Sequence, residues 1–165
     1  MIFADLPMKS AVFVDANIFV FYFQPHAVLG PDCATLVKRI ELNELVGFTS
    51  THVLAEVAHR LMTMEASMKF GWQTKMVSRL KQDPSALQKL VDFRQAGQQI
   101  PKLGFQILTI SVPLLDSAAA ISQKYGLLTN DALVVAVMQA NGLTNIASSD
   151  VDFDRVPGLT RYSPA

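Results

Sequence analysis

The feature that most constrains the fold is the alternation of short apolar runs with longer segments of helical pattern. Runs typical of buried strands occur at residues 11–15, 46–49, 105–110 and 145–148, and residues 160–162 supply a shorter run. Strands that alternate with helices form parallel sheets covered by helices on both faces. We therefore predict an α/β fold with a parallel sheet, in which ligands bind beyond the carboxyl ends of the strands.

Capping residues and proline mark the ends of the predicted helices. Ser50 or Thr51 caps one helix, Asp83 and Pro84 start another, and Thr129 caps a third. The predicted helical segments are 17–23, 31–45, 51–68, 72–82, 84–98, 113–126 and 129–140.

Length and composition predict a single globular domain over residues 1–165. Half of these residues are apolar and 17% are charged, and a chain of this size can bury a sizeable core. The apolar stretch 11–23 is too short to span a membrane, so we expect neither an anchor nor a signal peptide. Cys33 is the single cysteine, which leaves no intrachain disulfide or zinc site and favours a reducing cytoplasm.

Charge is distributed unevenly along the chain although the net charge is zero. Residues 69–102, the basic segment, carry seven basic and two acidic side chains, a net charge of +5. Two interpretations stay open. The segment forms solvated helices with basic faces, or Lys75, Arg79 and Lys81 contact the phosphates of a nucleic acid.

The first apolar run, AVFVDANIFV at residues 11–20, contains an acid and an amide, Asp15 and Asn17. A buried, unpaired carboxylate costs on the order of several kcal/mol, which is comparable with the stability of a whole domain. Because Asp15 ends a core strand, the surrounding structure must hold its charge.

Further acids occupy comparable places. Asp150 follows the strand predicted at 145–148, Asp131 lies in the first turn of an apolar helix, and Glu56 lies at the edge of a helical stripe. Each also has a structural explanation: Glu56 can pair with Arg60, Asp131 can accept N–H groups at the helix start, and Asp150 can belong to a turn. The stripe consists of Val53, Val57, Leu61, Met64 and Met68.

Together these four carboxylates would repel one another around one crevice unless a cation were present. Hard divalent cations prefer oxygen ligands, and Mg²⁺ sites commonly combine a few carboxylates with water. No His or Cys belongs to the set, and His26, His52 and His59 show no metal-site spacing. The pattern therefore favours Mg²⁺ or Mn²⁺ over zinc.

The four acids lie in motifs that follow a characteristic order. The motifs are VDANIFV with Asp15, STHVLAEVAHRL with Glu56, LLTNDALVVAVMQANG with Asp131, and IASSDVDFDRVPGL with Asp150. Each motif is weak alone, but the ordered set is specific. Over nearly the whole chain it resembles the PIN-domain family, and most closely the VapC-like toxin ribonucleases.

The resemblance implies a three-layer α/β/α sandwich around a central, mostly parallel sheet. It also implies Mg²⁺- or Mn²⁺-dependent cleavage of RNA phosphodiester bonds, frequent homodimers, and for the toxin branch a cognate antitoxin. The matching positions suggest Asp15, Glu56, Asp131 and Asp150 as catalytic metal-binding acids, with Asn17, Ser148 and Asp152 as their supporting residues.

Three functions remain open: a toxin endoribonuclease, a housekeeping RNA-processing nuclease of the same fold, and a non-catalytic RNA-binding or scaffold domain. The complete set of acids counts against the third. The span between Glu56 and Asp131 is long for a compact toxin, which leaves the toxin branch open. A haloacid-dehalogenase pattern expects a second Asp two residues after the first, where this chain has Asn17.

Overall fold

The structure of the chain, a computed structural model, describes residues 1–24 and 26–165, apart from the side chains at positions 95 and 96. These residues form strands and α-helices in alternation, together with 3₁₀ turns at Phe3–Asp5, Ile100–Leu103 and Val151–Arg155. The elements are β1 (Ala11–Val14), α1 (Ala16–Phe23), α2 (Gly30–Glu41), β2 (Val46–Ser50), α3 (Thr51–Phe70), α4 (Met76–Gln82), α5 (Pro84–Gln88), α6 (Asp92–Gln99), β3 (Gln106–Leu108), α7 (Val112–Tyr125), α8 (Thr129–Ala140), β4 (Asn145–Ala147) and β5 (Thr160–Tyr162).

The strands form one parallel sheet in the order β3-β2-β1-β4-β5. The sheet is flanked by helices, which confirms the predicted α/β/α fold. The chain leaves β1 toward β2 on one side and returns to β4 on the other, where Val14 pairs with Ala147. This reversal creates a crevice at the carboxyl ends of β1 and β4, where ligands bind in open α/β sheets.

Apolar side chains of β1 and α8 form the centre of the core. Val12, Phe13 and Val14 are fully buried, as expected of a strand with neighbours on both sides and helices on both faces. The α8 helix is buried almost all round, as predicted, through Ala132, Leu133, Val134, Val135, Ala136, Val137 and Met138. Within the described residues, none of the helices combines the length and apolar character that a membrane crossing requires.

Several predicted helix boundaries were wrong. The helix predicted to reach residue 45 ends at Glu41, because Asn43 adopts a positive φ of 57°. The helix predicted from residue 72 begins at Met76, and the segment predicted as one helix over 84–98 divides into α5 and α6. Ser50 caps α3 as predicted, but Thr129 is already the first residue of α8, and the capping position is Leu128.

The predicted apolar stripe of α3 was wrong in its C-terminal half. Met64 and Met68 are exposed, whereas Glu65 and Ala66 are buried. The reason is a second apolar cluster that covers a different face of the helix. It joins the end of α3 to α4, α5 and the turn before α6, and its buried residues are Ala66, Leu80, Ala86 and Leu90.

Glu65 connects α3 to the start of α6. Its carboxylate accepts hydrogen bonds from the backbone N–H groups of Val91, Asp92 and Phe93, at 2.8, 3.0 and 3.2 Å. The first N–H groups of a helix have no partner within the helix. A buried carboxylate from another helix supplies that partner here and offsets the positive end of the α6 dipole.

We predict that Glu65→Ala lowers the free energy of unfolding by about 2 to 3 kcal/mol, because it leaves these N–H groups without an ionised acceptor. Urea denaturation measures the change. The control is Glu41→Ala, which removes an exposed carboxylate paired with Lys38 and should change stability by less than about 0.5 kcal/mol. Equal effects of the two substitutions would contradict a clamping role for Glu65.

Candidate active site

Asp15 lies at the carboxyl end of β1 and is buried, with a relative exposure of 8%. It caps α1, accepting a hydrogen bond from the backbone N–H of Ala16 at 2.7 Å. The Ser148 hydroxyl donates to it at 2.7 Å, and the Asn17 side-chain amide donates to the same oxygen. Three donors therefore hold the charge that the sequence places in an apolar run.

Ser148 and Asn17 extend this network across the crevice. The Ser148 hydroxyl oxygen accepts from the Asn17 amide and from the backbone N–H of Asp150, both at 3.0 Å. The Asn17 carbonyl oxygen accepts from the backbone N–H of Ser149 at 3.2 Å. The start of α1 and the turn after β4 are consequently fixed to each other, and this orients Asp15 and Asp150 toward the same crevice.

Asp150 and Asp152 belong to the 3₁₀ turn that follows β4. The Asp150 carboxylate accepts a hydrogen bond from the backbone N–H of Asp152 at 2.9 Å, so the predicted turn role is present. Asp152 forms an ion pair with Arg155 at 2.8 Å. Both side chains are partly exposed at the rim of the crevice.

Glu56 and Asp131 reach the crevice from helices. Glu56 lies in the second turn of α3 and pairs loosely with Arg60 at 3.7 Å, so its predicted ion pair is also present. Asp131 lies in the first turn of α8. Within the described part of the chain, no hydrogen bond or ion pair reaches its carboxylate, so the predicted bonds to N–H groups at the helix start are absent there, while the position in the first turn still favours a negative charge.

The pKa values of two acids reflect burial and the charges of neighbouring carboxylates. The pKa of Asp15 is raised to about 6, chiefly by burial and to a smaller extent by the charges of Glu56 and Asp131, while hydrogen bonds from Ser148 and Ala16 oppose the increase. The pKa of Asp131 is also raised to about 6, chiefly by burial and to a smaller extent by neighbouring charges. The neighbouring carboxylates that add to this increase are Asp150, Glu56 and Asp152.

The donor set fits a hard divalent cation in its chemistry. All donors are carboxylates, which Mg²⁺ and Mn²⁺ prefer, and a cation would relieve the repulsion that raises the two pKa values. Among the described residues, however, no three Asp, Glu, His or Cys side chains approach as closely as a complete metal site requires. The carboxylates therefore surround the crevice without forming a closed ligand shell.

Comparison with known proteins identifies the family of this chain. The sequence model of the PIN domain matches residues 12–159. The chain belongs to the PIN-domain family. This confirms the family predicted from the ordered motifs, whose acids lie within the matched range.

Individual relatives are similar over most of their length. Ribonuclease VapC2 of Methanocaldococcus jannaschii is 27% identical over 152 residues, which cover 92% of each chain. VapC20 of Mycobacterium tuberculosis, a sarcin-ricin loop cleaving toxin, superposes with a TM-score of 0.58 at 20% identity, covering 87% of this chain and 92% of that one. VapBC2 from Rickettsia felis, bound to a promoter DNA fragment, gives 0.57 at 16% identity, covering 94% and 99%.

The predicted RNA-binding residues lie outside the crevice. Lys75, Arg79 and Lys81 belong to the start and body of α4, and the Arg79 guanidinium lies over the Trp72 ring at 5.5 Å. The α4 helix packs beside Ala66, ten residues beyond Glu56 in α3. Lys81 also lines a pocket with His59, about one turn of α3 beyond Glu56, so the basic residues lie along the same helix as one of the acids.

Sequence reasoning overlooked the arginines around the closing motif. Arg155 donates to the Gly126 carbonyl at 3.0 Å as well as pairing with Asp152. Arg161 forms two hydrogen bonds with Asp154, at 2.8 and 2.9 Å, and donates to the Ser148 carbonyl at 3.3 Å. The i+3 spacing of Arg155 from Asp152 was a local signal for the first pair. No local signal indicates that Arg161 reaches Ser148.

The raised pKa of Asp131 predicts a pH-dependent loss of stability in metal-free protein. A carboxyl group whose pKa is higher in the folded chain stabilises the fold below its unfolded pKa, and this contribution is lost as pH rises through the folded value. The relevant window runs from 3.8 to about 6. Asp131→Asn removes this titration, so the variant should lose less stability across the window and melt at a higher temperature above it.

Thermal melts in EDTA at several pH values measure this difference. Asp116→Asn, which changes an exposed acid of α7, is the control and should follow the parent curve. Parallel curves for the parent and Asp131→Asn would show that ionisation of Asp131 does not destabilise the fold as predicted.

Proposed function

We propose that this chain is a divalent-metal-dependent endoribonuclease that acts as the toxin of a toxin–antitoxin pair. The observation that carries the proposal is the crevice itself. In this PIN-domain chain, Asp15 and Asp150 follow the neighbouring strands β1 and β4 and are linked through the Ser148 hydroxyl. Three donors hold the Asp15 carboxylate in a buried place that has an electrostatic cost. Such a cost is expected where function requires it.

In this proposal each acidic side chain has a role. Asp15, Asp131 and Asp150 would hold Mg²⁺ or Mn²⁺ directly or through water, and Glu56 would assist. When bound, such a cation lowers the pKa of a coordinated water and offsets negative charge on the scissile phosphate.

The remaining polar residues would orient this set. Asn17 and Ser148 fix the Asp15 carboxylate, and Asp152 extends the acidic rim beside Asp150. Water attack on phosphorus with departure of the 3′ oxygen would leave a 3′-hydroxyl and a 5′-phosphate, because the ribose 2′-hydroxyl takes no part.

The relatives support the choice of RNA and of an antitoxin. The curated relative is named a ribonuclease, and two structural neighbours are a VapBC2 assembly and a toxin–antitoxin complex from Klebsiella pneumoniae. We extend both features to this chain as proposals, and we propose a homodimer as its own assembly. An RNA-processing role would require the same crevice, and a neighbouring short reading frame encoding an antitoxin would favour the toxin.

We predict that RNA cleavage requires Mg²⁺ or Mn²⁺. Protein treated with EDTA should leave a mixed RNA pool intact, and either metal should restore cleavage. Asp131→Asn should reduce the cleavage rate at least about a hundredfold, the size expected when a key electrostatic group is lost. Full activity of demonstrably metal-free protein would contradict the mechanism, and sequencing of RNA 5′ ends beside an Asp15→Asn control would identify the cleaved sites.

We also predict that the basic segment contributes to RNA affinity. Replacing Lys75, Arg79 and Lys81 with Glu should weaken binding and reduce the dependence of log K on log salt, because fewer counterions are released. Filter binding at several salt concentrations measures the slope. A slope equal to that of the parent would assign these charges to the solvated surface.

A further inference from the structure

Two of the crevice acids have arginine partners and three do not. Glu56 pairs with Arg60 at 3.7 Å, and Asp152 pairs with Arg155 at 2.8 Å. In the ranges that the structure describes, no Lys, Arg or His forms an ion pair with the carboxylates of Asp15, Asp131 and Asp150. The paired arginines therefore lie beside Glu56 and Asp152, whereas the carboxylates of Asp15 and Asp131 have no paired cation in these ranges.

The two arginines approach from different walls. Arg60 lies on α3, and Arg155 ends the 3₁₀ turn after β4. The strands β2 and β4 pair with β1 from opposite sides, so the two ion pairs follow strands on either side of Asp15 at the end of β1. Arg155 is anchored further by its bond to the Gly126 carbonyl, in the turn that leads to α8.

Both guanidinium groups remain accessible. The Arg60 side chain is 42% exposed and the Arg155 side chain is 53% exposed. Arginine carries five N–H donors in a planar fork that matches two phosphate oxygens. Arg155 uses two of these donors, one for the Gly126 carbonyl and one for Asp152, and Arg60 makes only a loose contact with Glu56. Both side chains therefore retain donors for a further anion.

A polyanionic strand that enters this crevice meets carboxylates first unless cations lie along its path. Solvent-exposed ion pairs such as these are weak, and arginine–phosphate bonds are charge-assisted and frequently bidentate. An arginine at the rim can therefore exchange its carboxylate for a phosphate. The exchange also frees Glu56 and Asp152 to turn toward a cation inside the crevice.

We propose that Arg60 and Arg155 bind the RNA phosphates on the two sides of the scissile bond, each exchanging its carboxylate partner for a phosphate. This inference rests on the proposed nuclease function and adds to it the residues that hold the strand at the reacting centre. The basic segment, whose α4 helix packs beside α3, would contact other phosphates of the same strand.

The test compares Arg60→Gln, Arg155→Gln and their double variant with Arg60→Lys and Arg155→Lys, which keep the charge. Lys38→Gln is the control, because Lys38 pairs with an acid at 2.9 Å on the α2 helix, at the i,i+3 spacing that Arg155 also has. All variants are made in an Asp131→Asn background with Mg²⁺, so that RNA survives. Fluorescence anisotropy of a labelled single-stranded RNA of about ten nucleotides gives affinity at several salt concentrations.

The expected result is a smaller slope of log K against log salt, by about 0.7 for each glutamine and about 1.4 for the double variant. The lysine variants and Lys38→Gln should keep the parent slope. In the otherwise native chain, the double variant should raise KM for RNA about tenfold with a much smaller change in kcat, because the flanking contacts exist before and during the reaction.

An unchanged slope in the double glutamine variant overturns the inference. If the arginines only positioned Glu56 and Asp152, the same variant would keep its slope and instead lose part of the increase in melting temperature that Mn²⁺ produces. Failure of the nuclease proposal is seen separately in the native chain, as absence of metal-dependent cleavage. If the parent protein cleaves RNA but the glutamine variants keep the parent slope, the nuclease proposal stands and only the proposed phosphate contacts are refuted.

Discussion

The buried carboxylate of Asp15 is the constraint on which the crevice depends. Its place at the end of β1 comes from the strand, and the charge can stay there only because three donors reach it. Two of those donors belong to Asn17 and Ser148, which also bind the backbone of the turn after β4. The same hydrogen bonds that stabilise one charge therefore fix the two chain segments that form the crevice walls.

Mutual repulsion among the acids shapes the rest of the site. Burial disfavours the ionised forms of Asp15 and Asp131, and within the described residues neither carboxylate forms an ion pair. The outer carboxylates are compensated by Arg60 and Arg155. This distribution leaves a negative interior bounded by positive groups, which suits a site for a small cation and a phosphate diester.

Helix α3 connects this site to the basic segment. Its N-terminal half packs on the main core through Val53 and Val57 and carries Glu56 at the crevice. Its C-terminal half belongs to the second apolar cluster, where Glu65 holds the start of α6. One continuous helix therefore fixes the position of Glu56 relative to the positively charged helices.

The sequence by itself determined the elements whose signals are local. The parallel sheet followed from the alternation of apolar runs and helices, the burial of α8 from its apolar residues, and the importance of Asp15 from a charge within a core strand. Only the tertiary structure decided the position of β1 between β2 and β4, the burial of Glu65 and the bond from Arg161 to Ser148. Periodicity and capping act between residues a few positions apart, whereas strand order and long-range donors depend on contacts between distant parts of the chain. For the same reason the stripe of α3 was predicted correctly where the main core covers it and wrongly where a second cluster, formed by later helices, covers another face.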